Sequence, residues 1–157
     1  MSRDNRSRAK RPLNEKLGVF VERTPAEVWA FVSDITQMSA WRPRLQDMRW
    51  LDEPARVGSR FEGASTFALW RKVHLVCRIT QWEPPTHFRY EVIEGPIRAD
   101  ALWGVCPESD GSWFFGAGDI VGKSLPSRVL RPLAAPLFAR ETRSELRRLK
   151  EILAGGR

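Results

Sequence analysis

A helix-start signal that follows directly on a strand-like segment constrains the fold of this chain more than any other feature. Valines alternate with other side chains within residues 16–22, and a period of two is typical of a strand. Thr24 can cap a helix that begins there, and Pro25 suits the first helical position, where its missing N–H has no partner. Glu27 can close a capping box with Thr24. The sequence therefore predicts a strand, a short turn and an amphipathic helix over residues 25–34.

Turn signals rich in proline and glycine divide the rest of the chain into short segments, and this punctuation favours an antiparallel meander. A second short helix is predicted near residues 37–41, and the last helix is predicted to start at Ser127. Pro132 and Pro136 each remove a backbone hydrogen bond, so we expect a kink and a regular helix only after Pro136. The remaining strands are predicted at residues 45–52, 59–67, 72–82, 88–94, 97–105 and 113–121.

These elements predict an α+β fold with a seven-stranded antiparallel sheet wrapped around a long C-terminal helix, and two short helices between strands 1 and 2. Their order resembles the helix-grip superfamily known as SRPBCC or START-like, and within it most closely the polyketide cyclase/dehydrase family. The resemblance extends from about residue 16 to residue 153. It is carried by the helix motif 24–34, the corner at Trp41 and Pro43, the segment 79–85 followed by Phe88, and the terminal helix 133–150.

The resemblance implies a cavity between sheet and helix that holds a hydrophobic molecule. The superfamily includes lipid carriers, cyclases, hydrolases and chaperone partners, so the fold alone does not decide the chemistry. We expect one domain over residues 16–157, preceded by a disordered basic tail over residues 1–15. No apolar run is long enough for a membrane span or a signal peptide, so we expect a cytoplasmic protein.

Small side chains are predicted in the middle of two adjacent strands. Alternation turns Ala99 and Ala101 of one strand, and Gly116 and Gly118 of the next, toward the interior. Because interiors are close-packed, such a patch indicates either large residues on the covering helix or an open cavity, and the resemblance favours the cavity. The predicted ligand-binding residues are Phe61, Phe67, Leu75, Cys77, Tyr90, Trp103, Phe114, Leu133 and Leu137.

Tyr90 and Glu141 are the candidate catalytic residues, since both are titratable and could border this cavity. Glu141 interrupts the apolar stripe of the last helix. It either points inward, beside Tyr90 or an arginine, or tilts to solvent, because charged groups are rarely buried unpaired. The other polar side chains predicted to face inward are Ser65, Cys77, Gln81 and Ser112.

Several kinds of site are not supported by the sequence. The two cysteines and two histidines lack metal-ligand spacing, and alternation places Cys77 and Cys106 on opposite faces of the sheet, which disfavours a disulfide. No nucleophile elbow or phosphate loop occurs. We therefore expect neither a metal nor a cofactor.

Three functions follow as hypotheses. The first is the binding of a lipid, quinone or polyketide-like molecule, which is then the predicted partner. The second is a cyclase or aromatase that folds a bound polyketide chain and moves a proton. The third is contact with an anionic membrane or RNA, because the net charge of +7 resides in the two ends of the chain. Its sign would be affinity that falls steeply with salt.

Overall fold

A seven-stranded antiparallel sheet and one long C-terminal helix dominate the computed structural model, which describes residues 17–67, 71–96, 98–120 and 125–155. Two short helices and a 3-10 turn, Ile35–Gln37, separate the first two strands. The strands are β1 Gly18–Val21, β2 Leu45–Trp50, β3 Arg60–Phe67, β4 Arg71–Glu83, β5 His87–Glu94, β6 Ala99–Glu108 and β7 Gly111–Ile120. The helices are α1 Pro25–Val32, α2 Met38–Trp41 and α3 Leu125–Gly155.

The strands follow the order β1-β7-β6-β5-β4-β3-β2. Strands β2 to β7 form a meander, in which each strand pairs with the one that follows it in the chain. The first strand, β1, pairs with the last strand, β7. The sheet thus has two edges. One is β1, with four residues, and the other is β2, whose register with β3 shifts between Gln46 and Arg49 where Asp47 has a positive φ of 56°. The predicted α+β helix-grip architecture is confirmed.

The start of α1 shows the predicted capping box. The backbone N–H of Glu27 donates to Thr24 Oγ1 at 3.3 Å, and the backbone N–H of Thr24 donates to Glu27 Oε2 at 2.9 Å. Pro25 occupies the first turn. Two N–H groups that a helix leaves without partners are therefore satisfied, and α1 starts at a fixed residue.

We expect Thr24→Ala to lower the free energy of unfolding by about 1 kcal/mol, the usual cost of a lost N-cap. Thr24→Ser is the matched control, because it keeps the accepting oxygen. Urea denaturation followed by tryptophan fluorescence measures both. Equal stabilities for the alanine and serine variants would contradict a capping role.

Helix α3 runs through both prolines without interruption. It begins at Leu125, so the predicted start at Ser127 and the expectation of regular helix only after Pro136 are wrong. Each proline removes one hydrogen bond, and the remaining bonds of a 31-residue helix carry it across both positions. Pro132 and Pro136 are both exposed.

A bulge in β4 changes which side chains face the interior. The register with β5 shifts between Ile79 and Gln81, so the alternation moves by one residue. Gln81 is therefore exposed and Trp82 packs against the core. The prediction that Gln81 faces inward is wrong for this reason.

The hydrophobic core lies on the concave face of the sheet, under α1, α2 and the second half of α3. Its largest fully buried side chains include Trp41, Phe61, Phe88 and Phe114. Among the described residues, no helix combines the length and the apolar character that a membrane crossing requires.

Candidate ligand-binding site

An arginine at the end of α2 enters the middle of this core. Arg42 Nη1 donates to the Tyr90 hydroxyl at 2.7 Å, and Arg42 Nε lies 3.3 Å from both carboxylate oxygens of Glu145. The side chains of Arg42 and Glu145 are only 17% and 6% exposed. An ion pair bonded to a phenol therefore lies inside an otherwise apolar core.

Local sequence explains why Arg42 turns inward. The backbone N–H of Arg42 still donates to Met38 at 2.9 Å, which closes the last turn of α2. Pro43 follows and disfavours helical dihedrals at the residue before it, and Arg42 accordingly has a ψ of 79°. Trp41 is fully buried and anchors this corner to the core.

Tyr90 and Glu145 reach the same point from opposite layers. Tyr90 lies on β5 between Ile79 of β4 and Ala101 of β6. Glu145 belongs to the part of α3 that faces the core, together with the buried Leu149. The polar cluster of Arg42, Tyr90 and Glu145 thus joins α2, the sheet and α3.

Aromatic rings surround the cluster. The guanidinium carbon of Arg42 lies 5.0 Å from the centre of the Trp103 ring and 5.7 Å from that of Trp41, within the range of cation–π attraction. Trp103 stacks on Phe114 with 5.6 Å between ring centres, and Phe61 contacts Tyr90 edge-on at 5.2 Å.

Electrostatics keep Arg42 charged and make Glu145 sensitive to pH. Burial alone would lower the pKa of Arg42, but Tyr90 and Glu145 beside it outweigh burial and hold that pKa above its ordinary value. Burial raises the pKa of Glu145, and the positive charge of Arg42 offsets this only in part. Glu145 is therefore a carboxyl group that binds a proton more readily than an exposed one.

We expect this raised pKa to appear as a pH-dependent contribution to stability. The raised pKa adds to the free energy of unfolding, and this stabilisation is fully present below the ordinary pKa of 4.5. It is lost as the pH rises through the higher pKa that Glu145 has in the folded protein. The stability difference between wild type and Glu145→Gln should therefore shrink as the pH increases from 4.5. Urea titrations at several pH values measure it, with Glu151→Gln, an exposed position, as control. A difference that grows with pH would contradict the raised pKa.

Most of the predicted ligand-binding residues lie on this concave face. Phe61, Cys77, Tyr90, Trp103 and Phe114 are all buried, and Leu75 is partly buried against the same core. The side chains of Phe67 and Leu133 lie outside the part of the chain that the structure describes.

Leu137 and Glu141 do not join the core. Leu137 is 68% exposed, so its side chain does not cover the core. Glu141 Oε1 pairs with Arg44 Nε at 2.6 Å, and that arginine is 59% exposed. Arg42, which donates to Tyr90, thus pairs with Glu145 of α3. Glu145 lies one helical turn after Glu141.

Arg42 and Glu145 were not predicted as site residues. A signal exists for each: Arg42 lies inside the Trp41–Pro43 corner, and Glu145 precedes Leu149 by four residues on the face that Leu149 buries. A carboxylate at that spacing is either exposed or paired, and no sequence rule identifies an arginine from a distant corner as its partner.

At one of the predicted small side chains, the space beside the strand is occupied by another residue. A Cβ atom at Gly116 would overlap the ring of Trp103, so this glycine accommodates the tryptophan. Two residues further along β7, a Cβ at Gly118 would meet only the backbone oxygen of Asp100, at 3.6 Å. Open space on these strands therefore starts beyond Gly116.

Two grooves lie elsewhere among the described residues, at the end of α3. Their volumes are about 290 and 350 Å³, and Arg23 and Leu153 line both. None of the predicted ligand-binding residues lines either groove.

Cys77 combines burial with a raised pKa. The residue is 3% exposed, and burial raises the pKa of its thiol to about 12, with Arg42 opposing the shift. Because the thiolate is the reactive form, we expect Cys77 in a Cys106→Ser variant to react with iodoacetamide at pH 8 at least about tenfold more slowly than an exposed cysteine. Mass spectrometry of the folded and urea-unfolded variant measures this, and equal rates in the two states would contradict it.

The hypothesis of an anionic partner rests partly on residues 1–15, which lie outside the described residues. The C-terminal arginines Arg140, Arg143, Arg147 and Arg148 belong to α3, and Arg147 and Arg148 are exposed there. Arg148 Nε also donates to the Ala40 carbonyl at 3.1 Å. This hypothesis stays a prediction.

Comparison with known proteins identifies one family. The sequence profile of a family described as polyketide cyclase/dehydrase and lipid transport matches residues 17–154. No curated protein matches the sequence.

Solved structures show the same fold at low sequence identity. TTHA0849 from Thermus thermophilus has a TM-score of 0.69 at 19% identity, over 87% of this chain and 94% of that one. NE0264 from Nitrosomonas europaea has a TM-score of 0.67 at 15% identity, over 87% and 91%. The di-domain ARO/CYC StfQ from the steffimycin biosynthetic pathway has a TM-score of 0.70 at 13% identity, over 87% of this chain and 49% of that one.

Proposed function

Because the chain belongs to the polyketide cyclase/dehydrase and lipid-transport family, we propose that it binds a lipid, quinone or polyketide-like molecule between the concave face of the sheet and α3. The polar cluster of Arg42, Tyr90 and Glu145 carries this proposal. Small-molecule sites are mostly apolar, with a few well-placed polar groups that fix the orientation of the ligand. A single ion pair and a phenol among aromatic rings fit that description.

Stability alone does not account for the cluster. Replacing a buried ion pair with apolar residues of similar volume is often neutral or stabilising. Tyr90 and Glu145 each use Arg42 as a partner, so the arginine is the centre of the arrangement. A role in holding the polar part of a ligand supplies a reason for keeping a charged group there.

Displacement of a neutral fluorescent probe tests the proposal. We expect N-phenyl-1-naphthylamine to bind at one site per chain, and palmitate, a short-chain ubiquinone or a polycyclic aromatic ketone to displace it. Arg42→Met should weaken the best competitor at least about tenfold, or ~1.4 kcal/mol. Arg49→Met, which changes an arginine that is 72% exposed, is the control. Absence of saturable probe binding would refute the proposed pocket.

Catalysis of polyketide cyclisation is the second candidate. The observation in its favour is that Glu145, a carboxyl group with a raised pKa, shares the Arg42 guanidinium with the Tyr90 hydroxyl. Perturbed groups of this kind cluster at sites of proton transfer. In this proposal, a reacting oxygen or carbon atom of the bound chain lies beside the cluster, and Tyr90 or Glu145 exchanges a proton with it.

Measuring both ligand affinity and turnover in variants of the cluster distinguishes a carrier from an enzyme. If the protein only encloses its ligand, Tyr90→Phe and Glu145→Gln should leave affinity within about tenfold, and no turnover of a linear poly-β-ketone mimic should be seen. If it is a cyclase, the same variants should lose turnover at unchanged affinity. Glu141→Gln is the matched control on the same helix, because Glu141 pairs with the half-exposed Arg44.

A further inference from the structure

Two buried indole N–H groups beside the polar cluster have no hydrogen-bond acceptor. Trp41 Nε1 and Trp103 Nε1 are both inaccessible and unpartnered, in side chains that are 0% and 4% exposed. Trp41 lies at the end of α2, and Trp103 lies on β6. Their rings meet edge to face with 5.0 Å between centres.

Such donors carry an energetic cost. A buried donor left without an acceptor is destabilising, and each such group in a folded protein calls for an explanation. Contact of an N–H edge with a neighbouring ring is a second-order interaction, so the ring contacts do not replace two hydrogen bonds. An acceptor that occupies the core in the functional state would.

Arg42 adds donors at the same place. Its Nε and Nη1 are used by Glu145 and Tyr90, which leaves the N–H groups of Nη2 as further donors. A guanidinium can donate but cannot accept. The guanidinium carbon is 5.0 Å and 5.7 Å from the two indole rings, so all three groups lie within the span of one small molecule.

We infer that the indole N–H groups of Trp41 and Trp103 are binding groups, and that with Arg42 they hold a ligand bearing carbonyl-type oxygen acceptors, such as a ketone, a quinone or a lactone. This inference rests on the proposed function and narrows its substrate class. The surplus of donors at the cluster selects against a pure hydrocarbon. The aromatic side chains around the cluster, which include the stacked pair of Trp103 and Phe114, favour an aromatic ring system next to the acceptor.

A matched pair of probes tests the inference: 9-fluorenone and fluorene share one planar skeleton and differ in a carbonyl against a methylene group. Both are titrated against the full chain in competition with N-phenyl-1-naphthylamine. We expect fluorenone to bind at least about tenfold more tightly than fluorene. Trp103→Phe should reduce that ratio, whereas Trp82→Phe, a partly buried tryptophan on the same face, should leave it unchanged.

A spectroscopic readout keeps the test valid if Trp103→Phe does not fold. In protein labelled with 15N at the indole nitrogens, fluorenone should move the N–H proton signals of Trp41 and Trp103 downfield, and fluorene should not. Probe binding with equal fluorenone and fluorene affinities, or with both indole signals unmoved, overturns the inference and leaves the pocket standing. Failure of the probe itself to bind overturns the proposed function, and the inference with it.

Discussion

Replacing Arg42 with methionine should lower the free energy of unfolding by about 3–5 kcal/mol at neutral pH. The substitution leaves the Glu145 carboxyl, which is 6% exposed, without its cation. It also removes the donor that satisfies the Tyr90 hydroxyl. An uncompensated buried charge is among the few single changes with so large an effect. Urea denaturation followed by tryptophan fluorescence measures the loss.

The neighbouring pair of Arg44 and Glu141 provides the control. Arg44 is 59% exposed, and exposed pairs contribute about 0–1 kcal/mol, so Arg44→Met should have little effect. The double variant Arg42→Met with Glu145→Leu should recover much of the lost stability, because it removes both buried charges. If Arg42→Met costs no more than Arg44→Met, the pair is not buried in the way described.

The second large effect is expected from adding one methyl group at Gly116. A Cβ there would overlap the Trp103 ring, which in turn lies on Phe114 and against Trp41. The Trp103 ring would have to shift to admit this methyl group, so we expect Gly116→Ala to cost about 1–3 kcal/mol, as overpacking usually does. Thermal and urea unfolding should both show it.

Gly118→Ala is the matched control, two residues away on the same strand and face. A Cβ there meets only the Asp100 backbone oxygen at 3.6 Å, an ordinary contact. Its stability should be unchanged or slightly raised, because alanine restricts the unfolded chain. Equal costs for the two substitutions would show that the strand, and not the Trp103 ring, is sensitive. A Trp103→Leu background should relieve the cost at Gly116.

Local signals in the sequence were sufficient to predict the architecture. The capping box at Thr24 and Glu27, the alternation of the strands and the turn residues act over a few positions, and the structure contains the predicted elements. The match to the polyketide cyclase/dehydrase family over residues 17–154 confirms the resemblance. The errors arose where packing overrides a local rule, at the bulge beside Gln81 and at the prolines inside α3.

The site was harder to predict, because its polar cluster joins distant residues. Arg42 and Glu145 are 103 positions apart, and no alternation or helical period relates them. Tyr90 was predicted because strand parity turns it inward, whereas its partner leaves a helix end in a direction that only the following proline and the packing of Trp41 determine. Alternation indicates open space at Gly116, because it does not show that the Trp103 ring on the neighbouring strand β6 covers this glycine.

The two edges of the sheet bear on how this protein behaves beside copies of itself. An exposed strand with regular unpaired N–H and C=O groups can pair with a strand from another molecule and seed fibres. Here one edge, β1, is four residues long, and the other, β2, is interrupted where Asp47 adopts a positive φ. Within the part of the chain that the structure describes, neither edge offers a long, flat row of hydrogen-bonding groups. We therefore expect the irregularity of β2 to disfavour growth of the sheet from one chain to the next in concentrated protein.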